Sequence, residues 1–192
     1  SALPPPSTDR FTLLFASTPA DPSEIEPRGI QVLVELARAQ PAIDVLVPWR
    51  VWGDVPALRR AIDALSPPKN FLVTWENAGD MRAWYARAHA TIACFGPGAG
   101  KVIPNFILEG FACGRPCVLA DEMPLSAEVA RSHAGLVVPR HVEALQSAVG
   151  EIRDAWRAFS ARARGLAETR FALTAFRASY DALYAAVERR RA

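Results

Sequence analysis

Short apolar runs alternate with segments of helical periodicity along almost the whole chain, and this alternation limits the fold more than any other feature. The runs are Phe11–Ala16, Ile43–Val47, Phe71–Trp75, Ala90–Phe95, Pro116–Ala120 and Gly135–Val138. Each is continuous rather than alternating, as expected of a strand buried on both faces of a parallel sheet. Helical patterns follow over Ile30–Ala39, Val55–Leu65, Gly79–His89, Phe106–Cys113 and the turn through Ala134. Strand–helix alternation of this kind predicts an α/β fold, a doubly wound parallel sheet of about six strands. Beyond Val138 the pattern is helical only, over His141–Arg164 and Leu173–Arg190. There Phe176, Tyr180 and Tyr184 recur at i, i+4 and i+8, which reads as a packing stripe.

The chain has 192 residues, enough for one α/β domain with a proper core and short for two. The proline-rich Ser1–Arg10 reads as a linker, with further chain expected upstream, and 11–192 as the domain. A net charge of +2 gives no electrostatic case for nucleic acid. No apolar run reaches the roughly 18–20 residues that span a bilayer. Cys94, Cys113 and Cys117 lie in apolar contexts without CxxC spacing, which argues for a reducing, cytoplasmic setting and against a disulfide framework or a zinc site. His89, His133 and His141 have no ligand spacing, so no metal is expected.

Ligands of such sheets bind outside the carboxyl ends of the strands. The loops after Ala16, Trp75, Phe95 and Ala120 open on that edge. The third of these is the most informative. Gly96, Gly98 and Gly100 free the backbone after a strand, Pro104 ends the extended stretch, and Asn105 is placed to cap a helix that closes on Gly114. Within that apolar helix stands Glu109 beside Gly110. A carboxylate in that setting either reaches water and caps a neighbour, or accepts hydrogen bonds from ligand hydroxyls, with Gly110 leaving the space.

Known phosphate loops do not fit. Gly96 to Lys101 is one residue short of GxxxxGK[ST] and Val102 follows the lysine, which argues against ATP hydrolysis. The first strand leads into Ser17-Thr18-Pro19-Ala20-Asp21-Pro22, with no dinucleotide GxGxxG, and no GxSxG elbow exists for a hydrolase.

A longer pattern does stand out. Glu109-Gly110-Phe111-Ala112-Cys113-Gly114-Arg115-Pro116-Cys117-Val118, followed by Gly135-Leu136-Val137-Val138-Pro139, resembles the C-terminal half of retaining GT-B glycosyltransferases. That family carries an "EA-small-A-CG-x-P-V" helix and strand ahead of a "GLVV-P" segment. Pro27-Arg28-Gly29-Ile30 also stands where it has a Lys-Gly after the first strand. The resemblance implies a Rossmann-like domain that binds a nucleoside-diphosphate sugar and needs no further cofactor. It implies that Glu109 holds ribose hydroxyls, with Asn105 and Phe106 beside it, and that Arg28 and the amides of Gly96, Gly98 and Gly100 lie near the diphosphate. Two positions depart: Lys101 replaces a glutamate near the donor sugar, and Ser17-Thr18 replace a cation after the first strand. Lys101 is therefore read as a donor-site contact, with no catalytic residue assigned. Such enzymes also need an N-terminal acceptor-binding domain, which could place the whole protein peripherally at a membrane and onto which the last helix commonly crosses. The rival readings are a non-catalytic binding module on the same fold and a GT-B-type sugar epimerase.

Overall fold

The computed structural model describes residues 3–6, 9–76, 79–97, 99 and 103–189. Among these, six strands form one sheet: β1 Phe11–Leu14, β2 Ile43–Trp49, β3 Phe71–Trp75, β4 Ala90–Ala93, β5 Cys117–Ala120 and β6 Gly135–Val138. Every pairing is parallel and the order is β3-β2-β1-β4-β5-β6. The expected doubly wound α/β sheet is what the chain adopts.

The helices between strands are α1 Ile30–Ala39, α2 Val55–Ala64, α3 Met81–Arg87, α4 Asn105–Ala112 and α5 Ser126–Ser132. Their starts follow local chemistry. Asp54 accepts from the Ala57 amide and Asp80 from the Arg82 amide, each satisfying a first-turn donor that has no partner within its helix. Gly29 precedes α1 with φ +70°, and a Cβ there would lie 2.1 Å from the Cys94 carbonyl oxygen. Only glycine allows that approach of the α1 entry to the end of β4.

Several boundaries differ from expectation. Asn105 is the first residue of α4, and Pro104 takes the cap position without any side-chain capping bond. Proline fixes the extended approach without a polar cap. The segment His141–Arg164 is two helices, α6 Val142–Asp154 and α7 Trp156–Thr169, broken at Ala155, whose ψ of 27° departs from the helix. The break turns the chain so that Trp156 donates its indole N–H to the His89 carbonyl at 2.7 Å, while α7 packs on α4. β1 and β4 end two residues early, at Leu14 and Ala93, although the Phe15 amide still donates to the Leu46 carbonyl at 2.9 Å.

The core is continuous across the sheet, with Leu13, Phe15, Val45, Val47, Ile92, Ile107, Phe111 and Val118 wholly or nearly buried. A smaller cluster of Leu14, Leu46, Tyr85 and Ala88 seats α3, with Leu3 packed against it. Leu3 and Pro4, placed by sequence in a linker, are tied to the domain. The Leu3 amide donates to the Cys113 carbonyl, and buried Arg115 donates to the Pro4 carbonyl at 2.7 Å. The chain ends in α8 Leu173–Arg189, none of whose residues is buried. Phe176, Tyr180 and Tyr184 are all exposed on it.

Candidate functional site

The strand order turns between β1 and β4, where a parallel sheet opens a crevice outside its carboxyl edge. Three segments converge there. One is the turn Phe15–Pro19 after β1, another runs from Cys94 to Pro97 after β4, and the third is the first turn of α4. Aromatic packing joins them, with Phe15 edge-on to Phe95 at 6.0 Å and to Phe106 at 5.9 Å. The Gly96 amide donates to the Pro27 carbonyl at 2.8 Å, which locks the post-β4 turn to the segment ahead of α1.

Glu109 lies in the second turn of α4 and is exposed. Its Oε2 accepts from the Tyr85 hydroxyl at 2.8 Å. Among the described residues the carboxylate is oriented by one donor, the Tyr85 hydroxyl, and is otherwise exposed. Phe106 is buried, its ring in the core and its carbonyl accepting from the Tyr85 hydroxyl at 3.0 Å. Asn105 is exposed at the helix start. Gly110 does not leave room for a ligand, as sequence had suggested. A Cβ on it would lie 2.7 Å from the Thr91 methyl, so its role is to let α4 press onto β4.

Arg28 is buried, with 7% of its surface exposed. Its guanidinium donates to the Ser17 hydroxyl and forms a two-armed contact with the Glu24 carboxylate, Nε at 2.6 Å. The arginine thus reaches the position just past β1 where the sequence itself has only Ser17 and Thr18. Thr18 accepts from the Arg50 amide at 3.0 Å, fixing the same turn. Gly98, Gly100 and Lys101, also expected at the site, lie outside the described residues.

Two residues of this edge escaped the sequence reading. Arg140, just past β6, bonds the Glu26 carboxylate at 2.9 Å and the Glu26 carbonyl at 3.2 Å. A Cβ on Gly96 would lie 2.5 Å from its guanidinium, so the arginine rests against the glycine turn. A charged residue in a loop at the carboxyl edge was the available signal. Tyr85 had none, because α3 meets α4 only in three dimensions.

Burial pushes the Cys94 thiol up to about 12, which keeps it a neutral core group rather than a nucleophile at this edge. A cleft of about 410 Å³ lies alongside, between α1 and α6. Glu26, Glu35 and Glu143 line it together with Arg140, which is paired with Glu26. Among the described residues no cluster of histidine, cysteine or acids is built to hold a metal ion, and no helix is long and apolar enough to cross a membrane.

A six-stranded parallel sheet in this order, with helices between its strands, is a Rossmann-like α/β fold. The sequence matches the family Glycosyl transferases group 1 over residues 13–154, well over half of the chain, and the protein belongs to that family. Among curated proteins none matches. Solved structures of the same fold include sucrose-phosphate synthase from Thermosynechococcus elongatus, with a TM-score of 0.73 at 22% identity over 93% of this chain. Anabaena HepE in complex with UDP-glucose gives 0.72 at 16% over 92%, and a glycosyltransferase from Rickettsia africae gives 0.70 at 15% over 92%. The chain spans slightly less than half of each, 46%, 49% and 48% respectively.

Proposed function

We propose that this chain is the donor-binding, C-terminal half of a retaining GT-B glycosyltransferase. The whole enzyme would move a hexosyl group from a nucleoside-diphosphate sugar to an acceptor in the cytoplasm. The observation that carries the reading is Glu109, an open carboxylate oriented by Tyr85 beside the crevice where the strand order turns. A carboxylate with free lone pairs suits a vicinal diol. The first-turn amides of α4 suit an anion, and Arg28 and Arg140 bring cations to the same edge. HepE, solved with UDP-glucose, supplies the class of ligand.

In this reading the ribose hydroxyls donate to Glu109, and the diphosphate lies near Gly96, toward Ser17, Arg28 and Arg140. Lys101 contacts the donor, Asn105 and Phe106 offer backbone amides, and no cofactor or metal is needed. Acceptor placement and exclusion of water belong to an N-terminal domain that closes over the crevice and that α8 would meet. The 192-residue chain alone should therefore bind a nucleoside diphosphate weakly and transfer no sugar.

Calorimetric titration of Glu109→Gln and Arg28→Ala with nucleoside and nucleoside diphosphate tests this. Charge-assisted bonds contribute roughly 1.5–3 kcal/mol each before solvent exposure discounts them. About 2 kcal/mol for the exposed pair corresponds to a thirtyfold loss if both bonds go, and the neutral amide should lose part of that. Glu109→Gln should weaken both ligands alike, and Arg28→Ala should weaken the diphosphate more. A Glu109→Gln protein that binds like wild type would end the assignment.

A further inference from the structure

Tyr85 is a buried phenol whose oxygen lies 2.8 Å from Glu109 Oε2 and 3.0 Å from the Phe106 carbonyl. It has one proton for two acceptors. The Phe106 carbonyl already belongs to the α4 hydrogen-bond ladder, whereas the carboxylate is charged and takes the stronger bond. Burial, reinforced by Glu109, raises the phenol above its ordinary value, so it stays a donor at neutral pH.

The ring itself is fixed from behind. It packs with Leu14, Leu46 and Ala88, and Arg115 donates from Nε to the Tyr85 carbonyl at 2.8 Å. Arg115 is wholly buried, lies 5.6 Å over the Trp156 ring, and bonds the Pro4 carbonyl with Nη2. A rigid donor thus holds one end of an exposed, otherwise flexible side chain.

We infer that Tyr85 is a positioning residue that presents Glu109 to the ribose, and so sets how strongly the site prefers a nucleotide with both hydroxyls. The inference rests on the donor-site reading of Glu109. A carboxylate has about four lone-pair sites. Tyr85 occupies one on Oε2, which fixes the carboxylate plane and leaves Oε1 and the rest of Oε2 for the two hydroxyls. Without the phenol, Glu109 rotates freely in the unbound protein and must be immobilised on binding. That cost corresponds to roughly two- to tenfold in affinity.

Tyr85→Phe is a clean probe. It removes one oxygen, keeps the ring in its pocket, and strands no buried group, because its two partners are an exposed carboxylate and a ladder carbonyl. The probes are UDP, GDP and ADP with their 2′,3′-dideoxy counterparts, titrated by calorimetry, and the tightest-binding base is taken forward. Wild type should prefer the ribose form. Tyr85→Phe should melt as wild type does, weaken the ribose form about two- to tenfold, and leave the dideoxy form unchanged. A ratio unchanged in Tyr85→Phe but collapsed in Glu109→Gln overturns the inference and keeps the donor site. A ratio untouched by either variant, or no binding by wild type, removes both.

Discussion

Helices α4 and α8 are both rich in large apolar and aromatic side chains, yet they have opposite fates. In α4, eight residues long, Phe106, Ile107, Gly110 and Phe111 are buried between β4 and α7. In α8, 17 residues long, none is buried. Leu173, Phe176, Tyr180, Leu183, Tyr184 and Val187 stand 41–63% exposed. Both helices carry aromatic rings, and the hydrophobic effect acting on their apolar area is the same per unit area. What differs is the opposing surface. α4 is fixed by proline at its entry and by Gly114 at φ +72° on its exit, and Gly110 lets it settle onto Thr91. α8 follows Arg170, and none of its residues is buried by the described residues. An apolar stripe therefore says that a surface is made for contact, and not where the contact is.

The largest effect expected along this contrast is in α4. Phe111 is fully buried, and Phe111→Ala should cost about 3–5 kcal/mol through lost transfer energy and the cavity left behind. Denaturant unfolding measures it directly. A cost below about 1 kcal/mol would mean that α4 is no better anchored than α8.

A second effect is alkaline and comes from the groups under the sheet and α4. Burial raises the Cys94, Cys113 and Cys117 thiols, and burial with the Glu109 contact raises Tyr85. Each is protonated in the folded chain at pH values where the unfolded chain has released its proton. Their stabilising contribution is thus complete below the unfolded values, about 8.5 for a thiol and 10 for a phenol, and declines as pH rises past them. Each group contributes a slope of at most about 1.4 kcal/mol per pH unit. Stability measured from pH 8 to 11 should fall, and Tyr85→Phe should remove part of the slope above pH 10 only. His89 acts on the other side. Burial and Arg115 lower it, so its contribution is present above about 6.5 and lost on acidification. An alkaline profile identical in Tyr85→Phe would show that the phenol is not confined as described.

The contrast also explains what could be read from the sequence. Strand–helix alternation is a local, periodic signal, and it located all six strands and the loops at their carboxyl edge because each run is buried by its own neighbours. Glu109 was legible as an acid out of place on an apolar helix. Its exposure was not, nor was its bond to Tyr85, because α3 and α4 lie 24 residues apart at that contact and no periodicity links them. Gly110 was misjudged for the same reason, since the group filling its space is Thr91 on another strand. Asn105 is a good cap by type, but Pro104 already fixes the entry backbone. The break at Ala155 could not be seen in a run of helix formers, because the pull comes from Trp156 reaching the His89 carbonyl.

The smallest effect belongs to α8, and it sharpens the comparison most. Tyr184 is 63% exposed, and among the described residues its ring pairs with Tyr180 at a centroid distance of 6.3 Å. Tyr184→Ala removes a contact that contributes about 0.5 kcal/mol at the surface and adds a better helix former, which returns a few tenths. The two nearly cancel, so stability should stay within about 0.5 kcal/mol of wild type. A helix of 17 residues is only just beyond the length at which isolated helices are marginal, and α8 gains little from packing. Its amides should therefore exchange through local opening at a free energy well below that of α4. Hydrogen exchange on the purified chain decides this. Equal protection in the two helices, or a loss above about 1 kcal/mol in Tyr184→Ala, would show that the α8 stripe is buried against this same domain in solution.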